Sequence, residues 1–360
     1  MNKIAPRQLY FFLACIAPLG KLVLLPTQLA HYSANDLLFP AAINFLLQAG
    51  IVFLIMLLAR SNKTFYDLLV NTFGKIVGKI LICIFAAFLF FISFLPILEQ
   101  KLLVQSVFYD TLPSVVAFSS FFLFSAYLCA KPASVLGRTW DILGPLAIAG
   151  MVGILVFALP VTDFGALAPV GVTGAKSIFF STAYTLNWFY DSAILLLLVG
   201  RFEYKKGMAW KSVVFYLIGA AAILFFLAVF YGVYEGLAVR QIFSFSKIGK
   251  YNSGVTVLGR IDYLFVFALT LGMAFYCALP VQLGVGCLVD TFGADKCKPA
   301  LFSVGINLVI FILSILLDYQ FAAINTTVNE KLWFLPPVFC VLVPILALLL
   351  RRKPRERKVR

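Results

Sequence analysis

The chain alternates long apolar runs with short polar loops. Ten runs stand out, at roughly 8–30, 36–59, 77–98, 115–132, 140–160, 178–200, 210–234, 257–288, 299–317 and 332–350. Each is near the ~20 apolar residues that an α-helix needs to cross a hydrocarbon core. The pattern therefore predicts an all-α polytopic membrane protein with about ten transmembrane helices, because in lipid a helix satisfies its own backbone. A β-barrel would show short alternating strands instead. The third run is expected to continue as helix towards Tyr109. The eighth is long enough to tilt or to bend at Pro280. Between the second and third runs, Thr64–Gly74 reads as a short amphipathic surface helix. A single transmembrane domain is expected over 1–350, followed by a basic tail over 351–360.

Composition agrees with this reading. The chain is 62% hydrophobic and 12% charged, with a mean hydropathy of +1.01, far from a soluble domain. The formal charge of +14 is not a nucleic-acid footprint, since the basic residues lie in short loops. One alternate set of loops carries 21 Lys and Arg and the opposite set carries 6, which predicts that both termini are cytoplasmic. The tail then reads as a topology anchor that also touches anionic lipid, with partner docking as the alternative. The opening run is expected to be a span and not a cleaved signal peptide, because it is long, broken and followed directly by more spans. Seven cysteines, six of them in apolar runs, with a single histidine and no CxxC pair, predict neither a metal site nor a disulfide framework.

Lys21 is the most informative position. It lies near the middle of the first run, with Pro18, Gly20 and Pro26 close by. An ammonium at bilayer depth costs a few kcal/mol or more. Pro18 removes a backbone donor and Gly20 weakens the helix further. A charge beside a helix break at membrane depth is how transporters build sites from discontinuous helices. Two readings of Lys21 stand side by side: a structural lysine capping freed carbonyls, or a fixed charge or proton-titrating group on a transport pathway. Lys21→Ala is expected to alter function more than folding.

Other ionisable groups fall in or near the spans. Asp191 lies past the middle of the sixth and needs a partner, with Lys21 and Arg260 as candidates. Arg260 and Asp262 open the eighth span two residues apart and so face different neighbours; Asp262 also suits a helix N-terminus. Glu99 and Lys101 close the third span after Pro96 and read as external-edge residues. Thr270 and Tyr276 read as interior polar groups that bond between helices.

Ten spans with both ends on one side permit an inverted five-plus-five repeat, with halves near 1–160 and 175–350. In such a repeat the first and sixth spans are the broken pair. The sixth has no central Gly or Pro but carries the polar patch Ser181, Thr182, Thr185, Asn187 and Asp191. No phosphate-binding glycine loop, nucleophile elbow or HExxH occurs, so no enzymatic activity and no cofactor are expected.

The opening Ile4-APRQLYFF, the first-span ending LVLLPTQLA (Leu22–Ala30), the stretch GRIDYLFVF (Gly259–Phe267), the ten-span length and the basic tail together resemble the spore germination permeases. These are the B subunits of GerA-type nutrient germinant receptors, and they resemble the amino acid/polyamine/organocation superfamily with its LeuT-like inverted repeat. The likeness covers essentially the whole chain. It implies a germinant-sensing subunit in the spore inner membrane, a bacterial cell membrane, working with a membrane A subunit and a lipoprotein C subunit. It also implies a small nutrient, of the amino acid class, bound between the first, third, sixth and eighth spans.

Carried onto this chain, that pocket would involve Ala17, Pro18, Leu19, Gly20 and Lys21, with Phe94 and Leu98, Asn187, and Thr270 and Ala274. Ion coupling or gating would fall to Lys21, Asp191, Arg260 and Asp262. One departure matters. The family pattern places Gly-x-Gly before the Leu-Pro stretch, where this chain has Leu19-Gly20-Lys21. Lys21 either meets an anionic group as a point charge or fills the pocket with its own side chain. A proton-coupled amino acid permease of the same fold is the competing reading.

Overall fold

The computed structural model describes residues 3–109, 111–248, 262–293 and 299–349. Arg260, Cys297 and the tail from Arg351 lie outside these residues. Within the described residues every predicted apolar run is mainly helical. Among the described residues there is no strand, only one isolated parallel bridge between Ile4 and Phe202.

The first run is not one helix. α1 (Pro6–Phe11) continues through a π turn (Phe12–Ile16) and a 3₁₀ turn (Ala17–Lys21). α2 (Leu25–Ser33) then leaves at 60° to the first half. The expected break is real, but the bend falls at Leu22–Leu24, just after Lys21. Pro18 shapes the tight turn before the bend instead of marking it.

α3 (Leu38–Ala59) crosses in one piece. α4 (Phe65–Phe73) is the short helix expected from its sequence. Thr64 and Asp67 close a capping box at its start: the Asp67 N–H donates to Thr64 Oγ1 (3.2 Å) and the Thr64 N–H to Asp67 Oδ2 (3.3 Å), which satisfies two orphan donors. Phe65, Leu68 and Leu69 are buried, so the helix lies with its apolar face on the bundle. Gly74, at φ +90°, turns the chain into α5, a conformation that a side chain would strain.

α5 (Lys75–Phe108) runs on past the predicted span, as its continuing apolar pattern suggested. α6 (Ser114–Cys129) and α7 (Ser134–Ala158) follow. The sixth run is broken: α8 (Gly174–Tyr184), a 3₁₀ turn (Leu186–Trp188), irregular backbone at Phe189 and Tyr190, then α9 (Asp191–Leu198). α10 (Met208–Tyr234), the short α11 (Ser244–Ile248), α12 (Asp262–Phe292) and α13 (Pro299–Leu316) complete the main set. α12 contains Pro280 yet continues as one helix.

The last run departs from expectation. A helix pair, Asp318–Lys331 and Leu335–Leu346, meets at 56°, whereas the sequence pointed to one span starting at 332. Among the described residues six helices are long and apolar enough to cross a bilayer by themselves, and up to eight if each bent pair is one span. α6 is continuous but only 16 residues long, and the α8–α9 stretch is interrupted between Tyr184 and Asp191.

Position in the bundle follows from composition. α12 is 72% buried over its apolar window and packs mainly on α5 and α7; α13 is 22% buried and lies outside. Leu301, Val304, Leu308 and Leu316 point outward from α13, as suits a helix whose solvent is lipid. Polar contacts gather at two ends. At one, Arg7 pairs with Asp141 (3.1 Å), Arg201 with Asp290 (2.8 Å), and Lys79 donates to the Thr291 carbonyl (2.6 Å). These contacts join the loops with the higher basic count. At the other, Asp36 accepts the N–H groups of Gly171 (2.6 Å) and Thr173 (2.9 Å).

Candidate functional site

The two central breaks meet. Lys21, at the end of the 3₁₀ turn, reaches Asp191, the first residue of α9, with Nζ 2.6 Å from Oδ2. The same ammonium donates to the Ala17 carbonyl at 3.1 Å, in the first position of the 3₁₀ turn. The Phe189 ring centroid lies 5.2 Å from Nζ. Tyr276 of α12 donates to the other carboxylate oxygen, Oδ1, at 2.7 Å. Both ionic side chains have zero exposure. Of the two sequence candidates for Asp191, Lys21 is the partner.

The backbone around the breaks is satisfied from neighbouring helices, as membrane depth requires. On α3, Asn44 Nδ2 donates to the Thr182 carbonyl and to Thr185 Oγ1, both at 3.0 Å. One turn on, Gln48 Nε2 donates to the Phe189 carbonyl. On α5, Glu99 Oε1 accepts the Leu24 N–H at 2.6 Å, holding the bend of the first segment. From α11, Ser244 Oγ donates to the Val23 carbonyl at 2.8 Å.

Small residues set the packing distance. A Cβ on Gly20 would collide with the Tyr276 ring, so the glycine lets that phenol reach Asp191. A Cβ on Gly219 of α10 would meet Pro18 Cγ at 2.7 Å and the Ala14 carbonyl at 2.8 Å, so α10 approaches the broken segment closely.

The structure brings only part of the expected residue set together. Ala17, Pro18, Leu19, Gly20 and Lys21 line the break, all but the partly exposed Gly20 buried. Leu98 is buried on α5. Phe94 instead lines an apolar hollow of about 470 Å³ between α5 and α13, with Phe90, Ile306 and Val309. Asn187 is buried but turned to the last segment, donating to the Val328 carbonyl at 2.7 Å. Thr270 donates to the Val266 carbonyl (2.7 Å), and its own carbonyl accepts from Gln100 (3.1 Å). Ala274 is half-buried, and Asp262 is buried at the start of α12.

Glu99 and Lys101 need correction. They are not edge residues: they are 4% and 1% exposed. Lys101 is held by Asp318 (3.0 Å) and the Ser314 carbonyl (2.7 Å), neither near it in sequence. Asn44, Gln48 and Glu99 were missed as part of the site. A signal existed for two of them: Asn44 and Gln48 stand four apart on an otherwise apolar helix, which puts both amides on one face.

The profile of a family described as spore germination protein matches residues 38–321. The chain belongs to that family. Its membership agrees with the resemblance to the spore germination permeases and makes this a germination-related, permease-like, multi-pass membrane protein. No curated protein matches the chain. Within the family match lie Glu99, Asp191 and Tyr276; Lys21 precedes it. The chain thus carries its ion pair between a matched segment and one outside the match.

Proposed function

We propose that this permease-like protein is the nutrient-sensing subunit of a spore germination receptor in the spore inner membrane, with both termini cytoplasmic. One observation carries the reading: in a member of the germination family, two helix breaks face each other across a buried ion pair. Discontinuous helices gather freed backbone groups at mid-membrane, where transporter folds hold their ligands. The ligand is a small nutrient of the amino acid class. Here Lys21 already occupies Asp191, so the resting site is filled by the chain itself. A ligand that binds the open arrangement better shifts the population towards it. The membrane A subunit and the lipoprotein C subunit are the partners that read the shift, and the basic tail rests on anionic lipid.

The test is germination, nutrient by nutrient, of spores lacking this protein. Loss of response to one nutrient class, restored by the intact chain, supports the proposal. An unchanged response to every nutrient overturns it.

The buried charges also suit a second reading, a proton-coupled amino acid permease. Uptake of labelled amino acids into vesicles holding this chain alone, driven by a proton gradient, would favour it.

A further inference from the structure

Glu99 is a buried acid that the Lys21–Asp191 pair leaves unused. It lies one turn beyond Pro96 on α5 and is 4% exposed. Oε1 accepts the Leu24 N–H at 2.6 Å, the donor freed by the bend of the first segment. Among the described residues no Lys, Arg or His nitrogen comes within 4.0 Å of it. The nearest cation along its own helix, Lys101, is committed to Asp318 and Ser314. Lys21, three residues before Leu24, is committed to Asp191. The Cys277 thiol of α12 donates to the Pro96 carbonyl at 3.6 Å, and Cys277 and Tyr190 of the sixth segment are near enough to feel a charge on Glu99; both are neutral in their ordinary forms. The bend itself presents Leu22, Val23 and Leu24.

The charge balance is therefore uneven. Lys21 and Asp191 cancel one another. An ionised Glu99 would leave an uncompensated negative charge at membrane depth, which is costly. A cation taken up at the carboxylate removes that cost. A metal ion fits poorly: among the described residues no three His, Cys, Asp or Glu side chains converge, and a lone carboxylate is a poor cage for a hard cation that takes six or more oxygens. A proton needs no cavity. A protonated carboxyl also keeps a carbonyl oxygen to accept the Leu24 N–H, but without the strength of a charge-assisted bond.

We propose that Glu99 is a proton-binding site seated on the bend of the first segment, so that gain or loss of its proton weakens or tightens the hold on Leu24. The proposal goes beyond the sensing reading and does not need it, because the proton is exchanged with or without a nutrient.

The test is infrared difference spectroscopy of the full chain in lipid nanodiscs, stepped in pH without any nutrient. Wild type is expected to give a deuterium-sensitive C=O band of a protonated carboxyl. That band is lost in Glu99→Gln, which keeps an acceptor oxygen for Leu24 but cannot titrate. Glu99→Asp, a second variant should the first fold poorly, is expected to keep the band with a shifted midpoint. A carboxyl band that persists unchanged in Glu99→Gln, or a signal that follows added Na⁺ or K⁺ at fixed pH, overturns the proposal. A failed nutrient screen with this band present would overturn the sensing reading alone.

Discussion

The ammonium of Lys21 lies 2.6 Å from a carboxylate oxygen of Asp191, although the two residues are 170 positions apart in the chain. Each stands at a helix break, and each is fully buried. The contact ties the bend of the first segment to the restart of the sixth. It explains how two formal charges persist at bilayer depth: each supplies the counter-charge that the lipid cannot. It also leaves no unpaired ammonium at Lys21.

Tyr276 completes that arrangement, and its hydroxyl can be removed alone. Tyr276→Phe keeps the ring against Gly20 and deletes the 2.7 Å bond to Asp191. A hydrogen bond to a charged group contributes about 1.5–3 kcal/mol. The variant is expected to unfold at a lower temperature in detergent, with unchanged oligomeric state. Identical melting curves for the two proteins would rule out a role for this hydroxyl in holding the pair.

Gln48 tests whether the breaks depend on outside help. Its amide serves the Phe189 carbonyl, which has no helical partner at the break. Gln48→Leu is nearly isosteric but leaves that carbonyl unserved, at about 1–3 kcal/mol. A thermal melt should show clear destabilisation, and Gln48→Met should recover none of it, since a thioether donates nothing. Wild-type stability in Gln48→Leu would mean that the break is satisfied in another way.

Arg7 supplies the contrast. Its pair with Asp141 has similar geometry, at 3.1 Å, but the arginine side chain is 74% exposed. Solvent and salt screen such pairs, which contribute ~0–1 kcal/mol. Arg7→Ala is therefore expected to move the melting temperature far less than any change at Lys21 or Asp191. A loss as large as theirs would show that burial is not what makes the central pair matter.

Much of this architecture was legible in the chain, for physical reasons. Hydropathy located the helical runs because lipid demands long apolar stretches. Lys21 beside Pro18 and Gly20 announced a break because both the charge and the turn residues oppose an uninterrupted span. The break at Leu186–Tyr190 was nearly silent: no Gly or Pro marks it, and only the polar patch hinted at it. It exists because Asn44 and Gln48 pay the hydrogen bonds that the helix gives up. Glu99 was misplaced for a related reason. In one dimension it ends an apolar run after a proline and reads as an edge; in three, α5 runs on as helix and carries it inside, against a segment 75 positions away. The bent last segment was missed because its first half, from Asp318, carries too many polar residues to register as a span.

Burial also revises what is expected of Lys21→Ala. The variant strands Asp191 with zero exposure, so it should damage folding as well as function, by about 3–5 kcal/mol. Removing both charges together leaves nothing stranded. The most direct measurement is accordingly a double-mutant cycle on stability, with Lys21→Met, Asp191→Asn and the pair of substitutions combined. The structure predicts that the combined variant is more stable than either single variant, with a coupling above about 1 kcal/mol, well beyond the ~0.3–0.5 kcal/mol of independent sites. Losses that simply add would contradict a direct bond between Lys21 and Asp191, and with it the meeting of the two helix breaks at one site.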